Sequence, residues 1–382
     1  MGRHGWLRLT PAYSVRLVEE ILAELDYTPR CVMEPFSGTG TTELVCANKG
    51  ISSFALEINP FLVWLGNAKL GIYHRDKVEE FLSIANTLMQ HIEEYVPTDF
   101  PPIYNIYRWW NPPQAEFLAK LKSAIKTVED DAVVQLLTVS FCRIVIELSN
   151  AAFNHVSTSF KDGNEGFFSI DIAKEAFISV CEMVAKGALL QPRATSKVLL
   201  HDSRSIPAEC YGAYDTVITS PPYPNRISYI RELRPYMYWL DYLETSDQAS
   251  DLDWQAIGGT WGRATSLLGT WKSDHSLPQY VYDIAEKISN ADNKSAGLMA
   301  NYVLKYFEDM QKHLSSVYAG LAAKGRVFYI IGNSNFYNIT VPAEKIYVDM
   351  MTTIGFVDVK YHIVRKRNCN KQLYEFVVSG QK

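Results

Sequence analysis

The stretch CVMEPFSGTGTTELVCANKGISSFALEIN, residues 31–59, decides how the rest of the chain is read. CVMEPF is a short apolar run of the kind that forms a buried strand, and GTGTT is a tight turn. TTELVCANKG has helical character and ends on a glycine suited to a left-handed cap, while SSFALEIN is a second apolar strand. A strand, glycine turn, helix and strand in this order make a βαβ unit with parallel strands and a right-handed crossover. Gly38 and Gly40 let the backbone pass close to a ligand and lead into a helix whose first N–H groups face the same crevice. Glu57, at the end of the second strand, is placed to accept both ribose hydroxyls of a nucleoside cofactor. The third glycine of the dinucleotide fingerprint is missing, with Thr42 and Glu43 in its region, so the turn fits a pyrophosphate poorly.

Upstream, TPAYSVRLVEEILAEL predicts a helix with Thr10 as N-cap and Pro11 in its first turn. Downstream, residues 61–195 keep helical periodicity, as in DKVEEFLSIANTLMQHIEEY, and read as an inserted helical subdomain. KVLLHDSR and YDTVITS resume the strand rhythm. A loop-rich, acidic interruption at 241–295 contains IGGTWGRATSLLGTW. GLMANYVLKYFEDMQKHLSSVYAGLAAKG is one long amphipathic helix followed by the strand RVFYIIGNS. The tail, FVDVKYHIVRKR and LYEFVVSG joined by NCNKQ, reads as a hairpin.

At 382 residues, with 47% hydrophobic and 21% charged side chains, the chain has the composition of a globular protein with a full core. A formal charge of −5 gives nucleic acid no general attraction, so any such binding must rest on a local basic face. Six cysteines, at 31, 46, 142, 181, 210 and 369, form no C-x-x-C pair or His/Cys cluster, so no metal site is expected. With no signal peptide in view, they point to a reducing cytoplasm. The most apolar stretch, from Val133, carries Arg143 and Glu147 and reads as a buried helix, not a membrane span.

TSPPYPNR, residues 219–226, ends a strand abruptly, because proline has no N–H to extend a sheet. EPFSGTGTT resembles the D-P-F-x-G-x-G-T-T signature of S-adenosylmethionine-dependent DNA amino-methyltransferases, with Glu34 in place of the aspartate. TSPPY is similar to the same family's catalytic motif, in which Asp, Asn or Ser precedes Pro-Pro and an aromatic residue. The resemblance covers residues 5–60, 197–240 and 300–380 but neither interruption.

It implies a Rossmann-like class I methyltransferase fold of α/β type. The sheet is mostly parallel and seven-stranded with an antiparallel terminal hairpin, split as residues 1–60 and 196–382 around the helical insertion. It further implies S-adenosylmethionine as cofactor, double-stranded DNA as partner and, in members that have one, a cognate restriction endonuclease. By the resemblance the cofactor residues are Thr10, Pro11, Glu34, Phe36, Gly38, Gly40, Thr41, Thr42, Glu57, Ile58, Asp202 and Ser220. Asp202 would take the adenine amino group, and the helix opened by Thr10-Pro11 would help to close the pocket.

The catalytic residues are expected to be Ser220, Pro221, Pro222 and Tyr223. An exocyclic base nitrogen has its lone pair delocalised into the ring, and acceptors that hold its hydrogens free that pair for attack. Ser220 Oγ and the Pro221 carbonyl are such acceptors, stiffened by the prolines. Tyr223 offers a ring for an extruded base. Within the family, Ser-Pro-Pro-Tyr is commoner among cytosine-N4 enzymes, whereas an insertion between the two motifs also marks one adenine-N6 branch, which stays open. Cytosine-C5 chemistry needs a Pro-Cys pair, and no cysteine here follows a proline. RNA base methyltransferases and protein glutamine methyltransferases use the same chemical logic, and a non-catalytic cofactor-binding subunit would keep the glycine turn and Glu57.

Arg226, Arg231 and Arg234 beside the proposed catalytic loop, with Lys360, Arg365, Lys366, Arg367 and Lys371 around the hairpin, are candidate phosphate contacts. Trp109, Trp110, Trp261 and Trp271 either fill the gap left by a flipped base or belong to the core. His155 and His201 are not needed as bases, because the methylated amine loses its proton to water. Asn333-Ser334-Asn335 is expected at the cofactor edge of the sheet.

Overall fold

The computed structural model describes residues 2–7, 9, 14–98, 100–152, 159–160, 168–273, 277–368 and 372–382. Thr10, Pro11, His155 and Lys371 lie outside the described residues. Seven strands form one sheet: β1 (Val32–Glu34), β2 (Ser53–Glu57), β3 (Ser196–Leu200), β4 (Thr216–Thr219), β5 (Arg326–Gly332), β6 (Val357–Asn368) and β7 (Leu373–Gln381), in the order β6-β7-β5-β4-β1-β2-β3. β5, β4, β1, β2 and β3 run parallel. β7 is antiparallel to both β5 and β6, so the terminal hairpin supplies the one reversed strand of this sheet. This is a Rossmann-like, doubly wound α/β fold, with the mostly parallel seven-stranded sheet and antiparallel terminal hairpin expected. The strand order reverses between β1 and β4, and in such sheets the crevice beyond the carboxyl ends at that point is where ligands bind.

Both faces of the sheet are covered, which explains why its central strands are continuous apolar runs. Val32, Ile218 and Ile330 share one core with Leu17 and Val18 of α1 (Val15–Ala23) and Val45 of α2 (Thr41–Lys49). Met33, Val217 and Val327 face the opposite way, into the core built on the long helix Ala296–Gly320. The described part of α1 begins at Val15, after the expected Thr10 start.

The crossover from β2 to β3 departs from the expected boundaries. Helix α3 (Pro60–Leu70), capped by the Asn59 side chain accepting from Phe61 N at 3.0 Å, lies against β2 and β3. The expected boundary at 61 therefore falls inside a sheet-covering helix, since helical periodicity does not distinguish a crossover helix from an inserted one. The insertion proper follows, with helices Arg75–Gln90, Pro112–Ile125, Asp131–Glu147 and Ile170–Ala188 around a core of their own. That core also receives Trp239, from the last turn of α4 (Tyr229–Trp239), the helix that follows TSPPYPNR. The Trp239 ring meets Trp110 and Phe141 edge-on at 5.5 and 5.8 Å. One turn earlier, Tyr236 stacks on Phe61 of α3 at 5.2 Å and 7°.

Arg3 joins the insertion to the sheet layer. Its buried guanidinium donates to the carbonyls of Lys69 (2.8 Å) and Gly71 (2.5 Å) at the end of α3, and to those of Gly187 (3.0 Å) and Ala188 (2.8 Å) at the end of the last insertion helix. A cation at two helix C-termini satisfies carbonyls that have no intrahelical partner. Arg3→Ala would take the donor from the Lys69 and Gly71 carbonyls, while Gly187 O keeps Leu190 N and Ala188 O keeps Gln191 Nε2, and is expected to lower the unfolding free energy by about 2–3 kcal/mol in urea denaturation.

The interruption at 241–295 is not loop-rich. Among its described residues, helices Ser246–Gln255, Arg263–Thr270 and Gln279–Ser289 account for most of it. The first is opened by a capping box between Thr245 and Gln248, and Gly258, Gly259 and Gly262 occupy the turn between the first two helices. Among the described residues no helix is long and apolar enough to cross a membrane.

Candidate active site

The glycine turn leaves β1 with Gly38 at φ +52° and Gly40 at φ +76°, left-handed conformations that disfavour any side chain. Glu34 holds the turn in place from behind. Its fully buried carboxylate accepts from Phe36 N at 2.9 Å, from Thr42 Oγ1 at 3.0 Å and from the Thr219 hydroxyl, so it ties the turn, α2 and β4 together. Thr41 and Thr42 are buried in the first turn of α2. Glu34, Gly40, Thr41 and Thr42 therefore stand behind the crevice surface, while Pro35 to Thr39 line it. An acid in a family signature reads as ligand-facing, and only its burial reveals a bracing position.

Glu57 and Ile58 are at the surface of the crevice. Glu57 Oε2 accepts from Gly38 N at 2.8 Å and Oε1 from Asn59 N at 2.9 Å. The Ile58 N–H acts on the same carboxylate. Burial pushes this carboxyl up to about 7, against the opposing effect of those backbone N–H groups.

Phe36 faces the same space and packs on His313, ring centroids 4.8 Å apart. His313 is fully buried, and burial pulls its pKa down to about 4. The neutral ring donates from Nδ1 to the Ser203 carbonyl at 2.7 Å and accepts at Nε2 from the Tyr329 hydroxyl at 2.9 Å.

Asp202 lines the crevice too, but it is not a bare acceptor. Arg204 Nε lies 3.0 Å from both of its oxygens, Arg204 Nη2 is 2.6 Å from Oδ2, and Arg204 N donates to Oδ1 at 2.9 Å. Burial alone would raise the Asp202 pKa, yet the Arg204 bonds outweigh it and hold the carboxyl below its usual range. Arg204 also reaches Asp309 Oδ1 at 3.2 Å and the Gln255 carbonyl at 2.7 Å. Sequence reasoning passed over Arg204, although it stands two positions further along the same HDSR run.

On the opposite side, Ser220, Pro221, Pro222 and Tyr223 form a lip over the crevice. Tyr306 donates to the Pro222 carbonyl at 2.7 Å, and its hydroxyl is 3.1 Å from that of Tyr347. Among the described residues the Pro221 carbonyl accepts no hydrogen bond. The Tyr223 hydroxyl donates to Glu375 Oε1 at 2.8 Å, and burial, reinforced by the Glu375 charge, keeps it protonated well above its usual range. The Arg367 guanidinium lies 5.1 Å from the Tyr223 ring centroid. The turn and the lip share one cavity of about 300 Å3, the size class of small-molecule sites. Gln255, Ala256 and Ile257 wall it from the second interruption, and Arg365, Arg367 and Glu375 from the hairpin.

The remaining expected residues scatter. Arg226 is exposed at φ +63°, Arg231 is half-buried, and Arg234 lies over the Trp261 ring at 4.3 Å. Lys366 is exposed and outside the cavity lining. Trp110 belongs to the core, fully buried and donating to the Val145 carbonyl at 2.7 Å. Trp109, half-buried, packs on Trp110 and Phe160, and Trp271 is half-buried. His201 lines the cavity, its Nε2 2.6 Å from the Ser205 carbonyl. Asn333 is buried beside β7 instead of facing the cavity, accepting from Tyr374 N at 2.8 Å and donating to the Gln372 carbonyl at 3.1 Å. Among the described residues no three His, Cys, Asp or Glu side chains are grouped to hold a metal ion.

No family model matches the chain. It is 24% identical to the type II methyltransferase M.AvaI of Nostoc sp., over 93% of this chain and 79% of that protein. Against the type II methyltransferase M.MvaI of Kocuria varians it is 20% identical, over 87% of this chain and 75% of that one. Its curated relatives are methyltransferases. Among solved structures, the rRNA methyltransferase aviRa from Streptomyces viridochromogenes aligns over 98% of this chain and 87% of its own at 12% identity, with a TM-score of 0.30.

Proposed function

We propose that the chain is a DNA methyltransferase that uses S-adenosylmethionine to methylate the exocyclic N4 of cytosine in a specific duplex sequence, with the base extruded from the helix. The observation that carries this reading is the sharing of one cavity by the glycine turn with Glu57 and the Ser220–Tyr223 lip. The type II methyltransferases similar to the chain over most of its length support it.

The residues fit the cofactor. Glu57 presents a carboxylate to the ribose hydroxyls, Gly38 presents backbone without a side chain, Phe36 and Ile58 give apolar surface, and Asp202 with Arg204 lines the same cavity. S-adenosylmethionine, when bound, supplies an electrophilic methyl group on its sulfonium. Ser220 Oγ and the Pro221 carbonyl would hold the hydrogens of the base amino group and localise its lone pair, while Tyr306 keeps the Pro222 carbonyl engaged and the lip rigid. Tyr223 provides a face for the base, and Arg365 and Arg367 stand where the phosphates of an emerging nucleotide would pass. A cognate restriction endonuclease is the proposed companion, its cutting blocked by the same modification.

Incubation with methyl-labelled S-adenosylmethionine and duplex DNA or RNA, followed by digestion to nucleosides, tests the proposal. Label in N4-methylcytosine is expected from DNA. Label in N6-methyladenine would overturn the choice of base, and label from RNA alone would overturn the choice of nucleic acid.

Cofactor binding should also depend on pH. Ionised Glu57 accepts two hydroxyls and protonated Glu57 does not, so affinity is expected to weaken as pH falls below about 7 and to level off above it. Calorimetric titrations across this range, compared with Glu57→Gln, check it. The variant should bind more weakly and lose the Glu57 component of the pH dependence.

A further inference from the structure

The lip has a second anchor that the methyl-transfer reading leaves unexplained. Glu375, on β7 and 5% exposed, accepts from the Tyr223 hydroxyl at 2.8 Å, across 152 positions of sequence. Arg365, opposite it on β6, donates to the same carboxylate from Nε at 2.7 Å and from Nη2 at 3.2 Å, a two-pronged grip that fixes both its oxygens. The end of β5 is cut back to let this assembly close. A Cβ on Gly332 would lie 2.7 Å from the Arg367 guanidinium and 2.8 Å from the Tyr223 ring, so only glycine leaves both where they are. Stacking on a base needs the Tyr223 ring alone. Its hydroxyl is free for another task, and it is aimed at a buried carboxylate that an ion pair holds still.

We propose that Glu375, gripped by Arg365, is a positioning residue for the lip, which it fixes through Tyr223 so that Ser220 Oγ and the Pro221 carbonyl meet the amino group at the required place. This rests on the methyltransferase reading for its consequence in catalysis, though not for the geometry. Among the described residues, Tyr306 holds the Pro222 carbonyl and Glu375 holds the Tyr223 hydroxyl, while just beyond the lip Arg226 N donates to the Tyr302 hydroxyl at 3.1 Å. With the Glu375 bond removed, the Tyr223 side chain loses its hold while Pro222 and Arg226 on either side of it stay tied to Tyr306 and Tyr302. The terminal hairpin, last in the chain, thus completes a site whose other parts come from its first and middle thirds.

The test compares Glu375→Ala, Glu375→Gln and Tyr223→Phe by hydrogen exchange of residues 219–228 and by methyl transfer. Loss of the anchor in Glu375→Ala is expected to speed exchange of the Asn225 amide, which donates to the Tyr223 carbonyl at 2.8 Å, by about 10-fold while the Arg226 amide, held by Tyr302, and the β5 amides stay protected. It should lower kcat by about 10- to 100-fold with cofactor affinity within about twofold of wild type. Glu375→Gln, whose amide oxygen can still accept from Tyr223, should restore most of both. Tyr223→Phe should reproduce the exchange pattern of Glu375→Ala, and the double variant should add nothing to it. Unchanged exchange in Glu375→Ala or Tyr223→Phe would overturn the proposal, as would a glutamine variant no better than alanine. If wild type binds cofactor but methylates no nucleic acid, the methyltransferase reading fails, while the exchange data still decide whether Glu375 holds the lip.

Discussion

Ser220→Ala is expected to slow methyl transfer by about 10²- to 10³-fold while leaving S-adenosylmethionine affinity within about twofold of wild type. The serine stands at the head of the lip, and the Pro222 carbonyl beside it is already taken by Tyr306. On the proposed reading the Pro221 carbonyl and Ser220 Oγ would then hold the amino group, and removing one of a preorganised pair would act on the reacting geometry, not on the cofactor. Glu57 and the glycine turn, on β2 and after β1, keep their own side chains and bonds. Single-turnover rates with a DNA substrate, set beside calorimetric cofactor affinities, separate the two effects. A non-catalytic cofactor-binding subunit would have no rate to lose, and Tyr223→Ala would then be silent as well.

Glu34→Ala is expected to be the most destabilising single change near the site, by about 3–5 kcal/mol in urea unfolding. Its carboxylate serves Phe36 N, Thr42 Oγ1 and the Thr219 hydroxyl in a space closed to water. Alanine would leave those donors buried without their acceptor and open a void between α2 and β4. Glu34→Gln keeps one acceptor oxygen and should fall between. Glu34→Asp, which installs the residue of the signature that the turn resembles, keeps both oxygens but draws them back by one methylene. A midpoint unchanged in Glu34→Ala would remove the bracing role and return Glu34 to the cofactor side of the turn.

The parts of the site that the sequence makes legible are those encoded locally. The glycine turn, Glu57 one strand later and the proline pair at a strand end each lie within a few residues of the backbone feature that places them. The parts it hides are made by distance or by burial. Nothing near Tyr223 announces Glu375, because their meeting depends on β7 inserting antiparallel beside β5. Arg204 was hidden by its neighbour, since HDSR displays Asp202 as an acceptor and only the fold brings Asp309 and Gln255 to the arginine. Glu34 carries the signature's acid, yet what it does follows from zero exposure. Trp110 looked available beside Trp109 because composition does not show which face of a short helical segment turns inward. At fold level, the glycines of 258–262 outweighed the helical signals on either side of them.

Trp239 makes the helical insertion something other than an exchangeable cassette. A segment of this kind, spliced between two strands, invites transplantation to alter which substrate is chosen. Here the helix leaving the lip ends in an indole seated among Trp110 and Phe141 of the insertion, while its previous turn is stacked on Phe61. A graft that brought a foreign surface without that socket would strand an indole and loosen the helix at the foot of the lip. Successful chimaeras of this chain should be those whose donor segments supply the socket as well.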